Sequence, residues 1–315
     1  FHVAPANVDT IFVYSWFLAL LSGNCNIVRL SSKRSEPSLL LIQSITDLLN
    51  APEHNEIAAR TLLVRYPADD EITAMFSAVA DVRVIWGGDA TVKQIRAIPI
   101  PPASIDIAFA NKYSMAIIHA RRWLEKSEIR REQETKAFWN DAYWFDQMAC
   151  SSPRAVLWVG DKDAVEQAVN DFWGRLDDLL VNKATRFSDA DYVNKLVAVD
   201  SLAMENKIQV HTGSTNNLVR VWLDEPALHI DHHCGAGLFF ESRLSALDEL
   251  RPLLSRTIQT ISYSGWEKHE IRDFIMESPL AGIDRMVPFG QALDFSPSWD
   301  GFDLTRVFMR EITVT

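Results

Sequence analysis

The sequence predicts an α/β protein built on open, mainly parallel sheets, and three observations carry that reading. Short apolar strands alternate with amphipathic helices across tight turns. The chain runs to 315 residues, about two domains' worth of length. Its composition, 48% hydrophobic and 23% charged, is that of an ordinary globular protein. Residues 11–21 (IFVYSWFLALL) read as a buried helix, capped by the Asn7-Val8-Asp9-Thr10 stretch and stopped at Ser22-Gly23-Asn24. At about eleven residues it falls short of the roughly 20 needed to span a bilayer. A strand at 26–30 follows, then the polar turn 31–37 and a striped helix at 38–49. Beyond it come a strand at 60–65, a helix at 70–79 and a strand at 81–86. The turn Gly87-Gly88-Asp89 opens a short helix, and Pro99-Ile100-Pro101-Pro102 ends the run.

Strands at 105–109 and 115–118 come next, followed by a charged helix at 123–140 and an apolar strand at 155–159. The remainder reads as helices at 163–180 and 188–203, strands at 208–211, 218–223 and 237–241, and a helix at 247–254. The alternating tail 303–315 reads as an edge strand. A domain boundary is expected near residue 118. The chain opens Phe1-His2-Val3-Ala4-Pro5, without a Met and in mid-strand, which reads as a fragment of a longer protein.

Charge limits the ligands. With 31 Lys+Arg against 42 Asp+Glu the net charge is −11, unsuited to gripping a nucleic-acid backbone or an anionic membrane. An anion must be held by a local cluster, and Arg29, Ser31, Lys33 and Arg34 at the end of a predicted strand form one. That cluster is either a solvated loop or a seat for a nucleotide phosphate. Gly88 lies in a weak phosphate-loop turn, and the chain has no G-x-G-x-x-G. Three scattered cysteines, Cys25, Cys150 and Cys234, make no disulfide framework and fit a reducing, cytoplasmic setting. Cys150, flanked by Gln147 and the polar break Ser151-Ser152-Pro153, is the candidate nucleophile, and its bland alternative is a buried small hydrophobe. Asn7 either caps the following helix or donates to an oxyanion. Asp231-His232-His233-Cys234, with His229 nearby, is rejected as a metal site because adjacent histidines point to opposite faces of a strand. As a match to zinc-bound membrane acyltransferases it fails for want of a second Cys/His pair and of a membrane span.

In order, these pieces resemble the aldehyde dehydrogenase superfamily, in its acyl-CoA reductase (LuxC-type) branch. Pro5-Ala6-Asn7-Val8 resembles the superfamily's P-W-N-x turn, and Gly23-Asn24 with residues 26–29 its GN…VLK strand. Residues 86–92 resemble its F-T-G-S-x-x-V turn, 107–114 its L-E-L-G-G-K-S segment, and 147–154 the segment around its catalytic cysteine. Residues 284–291 and Trp299-Asp300-Gly301 resemble stretches of the acyl-CoA reductase branch.

The resemblance implies two doubly wound open-sheet domains with the active site between them. It divides the chain into an NADP-binding domain at 1–118, lacking its N-terminal part, a catalytic domain at 119–280, and a segment at 281–315 returning to the cofactor domain. It implies Cys150 as nucleophile and Asn7 in the oxyanion hole, with Arg29, Ser31, Lys33, Arg34 and Gly88 around the cofactor. Ala108 stands where hydrolytic members carry a general-base Glu, which favours reducing a fatty acyl-CoA thioester to the aldehyde over oxidising one. Arg29 in place of the usual Lys favours NADPH over NADH. The rival readings are an oxidative aldehyde dehydrogenase and a non-catalytic acyl- or cofactor-binding relative. Partners implied are the acyl-CoA, an acyl-transferring subunit, and a second copy joined through the terminal strand; an intramolecular edge strand is the simpler reading of that tail. Some of the ten Trp and sixteen Phe would line an acyl tunnel or simply form core.

Overall fold

The computed structural model describes every residue except Ala6, Asn7, Asp9, Lys33 and Arg34. The chain forms two compact units, one of residues 1–111 with 295–315 and one of residues 112–294. The first therefore closes before the strand that begins at Tyr113, and the tail rejoins it from 295 onward.

In the first unit the elements run β1 (His2–Val3), α1 (Phe12–Leu21), β2 (Asn26–Arg29), α2 (Glu36–Leu49), α3 (Asn55–Ala58), β3 (Thr61–Val64), α4 (Asp70–Ser77), β4 (Val82–Trp86), α5 (Asp89–Arg96) and β5 (Ile105–Phe109). The five strands are all parallel, in the order β3-β2-β1-β4-β5. Helix starts follow local chemistry. Ser35 accepts from Ser38 N–H at 3.2 Å with Pro37 in the first turn, and Asp69 accepts from Glu71 and Ile72 N–H at 2.9 and 3.0 Å. Val3, Val28, Val84, Ile85 and Ile107 are shut off from water, as a sheet covered on both faces requires. On β4 the buried Arg83 meets its register partner Asp106 on β5 through two bonds of 2.7 and 2.8 Å, and also donates to Ser77 Oγ and the Ile98 carbonyl.

The second unit runs β6 (Tyr113–His119), α6 (Ala120–Glu125), α7 (Glu128–Tyr143), β7 (Pro153–Val159), α8 (Lys162–Asn182), α9 (Asp189–Glu205), β8 (Ile208–Thr212), β9 (Val219–Leu223), β10 (Leu238–Leu244), β11 (Ile258–Ser264), α10 (Lys268–Glu277) and β12 (Arg285–Pro288). Its seven-stranded sheet has the order β12-β11-β6-β7-β10-β9-β8, parallel except for the β8–β9 edge pair. One face packs Met115, Leu157, Phe240 and Ile261 against Leu202 and Leu250. The other packs Trp158 and Phe239 against Trp123, Phe138 and Phe172. Glu241, buried on β10, accepts from the indole N–H groups of Trp158 (2.8 Å) and Trp173 (2.6 Å) and from Arg220 (3.2 Å), so its charge is compensated.

Four expectations change. The 123–140 helix is two helices, because Ser127 caps α7 through Arg130 N–H at 3.3 Å. Residues 247–253 form a 3-10 turn rather than an α-helix, with Pro252 inside it. The strand β11 and the helix α10, both unassigned from sequence, complete the sheet on its β6 side. The tail is not an edge strand. After β13 (Ser298–Trp299) and β14 (Phe302–Asp303), Asp303 caps the short α11 (Leu304–Val307), and the remaining residues are largely exposed and irregular. Among the described residues no helix is long and apolar enough to cross a membrane.

Asp141, buried on α7, accepts from the N–H groups of Gly290 (2.7 Å) and Ala292 (3.0 Å) and ties that segment to the helix. Burial outweighs those bonds and pushes its carboxyl up to about 7. Its folded pKa thus lies above the unfolded one, and the native state holds the proton more tightly. The Asp141 contribution to stability is complete below about pH 4 and is lost as pH rises through 7, amounting to roughly 4 kcal/mol for a three-unit gap. Urea unfolding at several pH values should show a decline that flattens in Asp141→Asn; equal slopes would refute it.

Candidate active site

Cys150 sits in the connection between α7 and β7, and the backbone there is held in an unusual shape. Asp146 and Gln147, neither of them glycine, have φ of 51° and 63°, a left-handed conformation that costs on the order of 1–3 kcal/mol per residue unless the surroundings enforce it. They do. The buried Gln147 amide donates to the carbonyls of Pro153 and Leu238, each at 2.9 Å, and accepts from Gly237 N–H at 2.9 Å. The Asp146 carbonyl accepts from Ala236 N–H at 2.9 Å. Gly235 permits this approach, since a Cβ there would stand 2.9 Å from the Asp146 carbonyl oxygen, and Gly237 likewise clears the Asn217 carbonyl oxygen, 2.0 Å from where its Cβ would be; both residues have positive φ.

The cysteine's own peptide is pinned as well. Ser114 Oγ, on β6, donates to the Cys150 carbonyl at 2.6 Å and accepts from Thr260 N–H at 3.1 Å. Ser152 Oγ donates to the Asp141 carbonyl at 2.7 Å. The half-buried Cys150 is therefore fixed relative to the amino ends of β6, β7, β10 and β11. Its thiol interacts electrostatically with Arg154, and Arg154 is in turn grouped with Tyr113 and His233. The Arg154 guanidinium is 5.8 Å from the Tyr113 ring centroid, and Tyr113 meets the His233 ring edge-on at 6.5 Å. Burial raises the Tyr113 phenol and depresses the His233 imidazole, the latter helped by the Arg154 charge, so both are neutral near pH 7.

The other thiols have different settings. Burial pushes the Cys234 thiol up, against the pull of Lys195, whose own ammonium is lowered by burial to about 8 and donates to the Asn216 carbonyl. Cys25 is exposed in the first unit. Of the rejected metal cluster, His232 approaches Glu205 at 3.7 Å while His233 turns to Tyr113.

In the first unit the strand order reverses between β1 and β4, the switch point beyond whose carboxyl ends open α/β sheets bind nucleotides. The chain leaves β1 into Ala4-Pro5 and β4 into Gly87-Gly88. A Cβ on Gly87 would press on Thr91 at 3.1 Å, so glycine lets this turn close against α5. Gly88 occupies the N-cap of α5. Arg29, ending β2, lays its guanidinium over Tyr66 at 4.6 Å and reaches the Pro67 carbonyl at 3.4 Å, and Ser31 is buried beside it with its carbonyl accepting from Arg65. These features fit a dinucleotide. Asn7, Lys33 and Arg34 lie outside the described residues.

Sequence reasoning missed Ser114, Tyr113, Arg154 and the role of His233. Ser114 and Arg154 lie within segments already singled out by the resemblance; nothing in the spacing joins His233 to them.

A family model described as acyl-CoA reductase (LuxC) matches residues 1–310. The chain belongs to that family. It is 26% identical over 298 residues to the long-chain acyl-protein thioester reductase of Aliivibrio fischeri, covering 92% of this chain and 57% of that protein. The protein of the same name from Photobacterium phosphoreum is 25% identical over 296 residues, with 92% and 56% covered. The chain thus spans little more than half the length of these relatives. Among solved structures, a putative aldehyde dehydrogenase from Burkholderia cenocepacia superposes with a TM-score of 0.70 at 15% identity, covering 98% of this chain and 66% of that one. A putative methylmalonate-semialdehyde dehydrogenase from Sinorhizobium meliloti, complexed with NAD, gives 0.68 at 12% identity over 98% and 67%. The aldehyde dehydrogenase fold expected from sequence is the one observed.

Proposed function

We propose that this LuxC-family chain reduces a long-chain fatty acyl thioester to the aldehyde through an acyl-enzyme on Cys150. The observation that carries the reading is the enforced left-handed loop that presents one cysteine, pinned by Ser114 and Gln147. Such strain collects where chemistry needs a fixed geometry. The Cys150 thiolate attacks the acyl carbonyl carbon, and the negative oxygen is received by the Asn7 amide and the Cys150 backbone N–H. The tetrahedral adduct collapses by breaking the bond to the departing thiol, which leaves as a thiolate and takes a proton from solvent. The acyl group then rests on Cys150 as a thioester. Arg29, Ser31, Lys33, Arg34 and Gly88 would hold a nicotinamide dinucleotide, NADPH by the argument from Arg29, which when bound supplies the hydride. With that hydride on the carbonyl carbon, Cys150 departs as thiolate and the aldehyde is released.

Ala108 supports reduction over hydrolysis, because no carboxylate is furnished from that position to activate water. Acyl-CoA is the thioester we favour, and the relatives' name favours an acyl-protein donor as the second reading. Incubation with a radiolabelled long-chain acyl-CoA, and in parallel with an acyl-protein thioester, should place label on the Cys150 peptide. NADPH should discharge it as aldehyde, with a lower Michaelis constant than NADH. Label that never forms, or that survives Cys150→Ala, defeats the reading.

A further inference from the structure

Arg154 is a half-buried cation whose Nε is closed off from water with no hydrogen-bond partner. A guanidinium in that position calls for a negative neighbour, since an uncompensated buried charge is expensive. Among the described residues none of the ion pairs is made by Arg154, and the groups whose negative charge acts on it are Cys150 and Tyr113. Tyr113 cannot serve, because burial holds its phenol protonated well beyond neutral pH. His233 is the remaining titratable neighbour. Its Nδ1 accepts from Gly235 N–H at 3.3 Å, and burial keeps the ring uncharged, so it neither competes with the guanidinium for a negative partner nor repels it.

The two groups are held from neighbouring positions of a single strand. Adjacent residues of β6 hold them: Ser114 anchors the Cys150 carbonyl, and the Tyr113 ring carries the Arg154 guanidinium on its face. Arg154 itself is the second residue of β7, four positions after the cysteine, and is the unpaired residue where the β6–β7 register shifts between Ser114–Pro153 and Met115–Ala155. We propose that Arg154 is the positioning residue that holds the Cys150 sulfur as a thiolate, serving as its counter-charge, with neutral Tyr113 and His233 walling the pair from water. The inference rests on the reading of Cys150 as the nucleophile but is tested without turnover.

The test is the rate of iodoacetamide alkylation against pH, followed on the Cys150 peptide by mass spectrometry in the intact chain, with circular dichroism to verify the fold. The wild-type midpoint should lie well below the ordinary thiol value of about 8.5. Arg154→Met should raise it by about one unit or more, and Arg154→Lys, which keeps the charge, should stay nearer wild type than Arg154→Met. A wild-type midpoint at or above the ordinary value overturns the proposal whether or not the variants fold, and so does an unchanged midpoint in folded Arg154→Met. Acyl labelling with an ordinary midpoint would sink this inference alone. An Arg154-dependent low midpoint without acyl labelling would sink the proposed function alone.

Discussion

Cys150→Ser should lose acyl-thioester reduction by at least about 10⁴-fold, on the scale seen when a covalent nucleophile is removed. A serine hydroxyl has no ionised form near neutral pH, and Arg154 cannot make one at this site. The fold should be indifferent to the exchange. The bonds that shape the loop run from Ser114 Oγ to the Cys150 carbonyl and from the Gln147 amide to Pro153, Leu238 and Gly237, and none uses the sulfur. Cys234→Ala is the matched control. Its thiol lies beside Lys195, burial disfavours its ionised form, and its loss should leave reduction near the wild-type rate. Initial rates of NADPH oxidation with a long-chain acyl-CoA, beside urea unfolding of each variant, separate the outcomes. Equal loss in both variants, or substantial turnover in Cys150→Ser, would remove Cys150 from the chemistry.

Strand and helix alternation was readable because parallel strands covered on both faces become unbroken apolar runs. The stretch at 113–119, which supplies β6, shows this clearly. The strand β11 escaped for the opposite reason. Its sequence IQTISYS places Gln259, Thr260, Ser262 and Ser264 in a fully buried strand, and polarity there mimics a loop. The tail misled differently. Alternation in 303–315 has the period of a strand, but an Asp at 303 with Thr305 and Arg306 following is also a helix start, and the cap prevails. At the site, Cys150 was legible through its polar surroundings and the family resemblance. The group around it was not, because Tyr113, Arg154 and His233 come from β6, β7 and the loop before β10, and only the sheet order makes them neighbours.

Gln147→Leu should destabilise the second unit by roughly 3–9 kcal/mol. Leucine has a similar volume, so the loss is not a cavity. What changes is that three buried backbone groups, the carbonyls of Pro153 and Leu238 and the N–H of Gly237, lose their partners together. Each orphaned group costs about 1–3 kcal/mol, against the 5–15 kcal/mol that separates most folded domains from unfolding. Gln147→Glu discriminates between packing and hydrogen bonding. It keeps an acceptor for Gly237 but faces two carbonyl oxygens with a carboxylate, so it should be at least as damaging as leucine despite its closer shape. Urea unfolding followed by tryptophan fluorescence reads both, and a loss below about 1 kcal/mol in Gln147→Leu would show that the amide is dispensable. The same variant tests why the amide is there. With the Gln147 amide gone, residues 146 and 147 lose three of the bonds that enforce their left-handed backbone and keep the one from Ala236 N–H to the Asp146 carbonyl, so Cys150 three positions on should be acylated more slowly even in the fraction that remains folded.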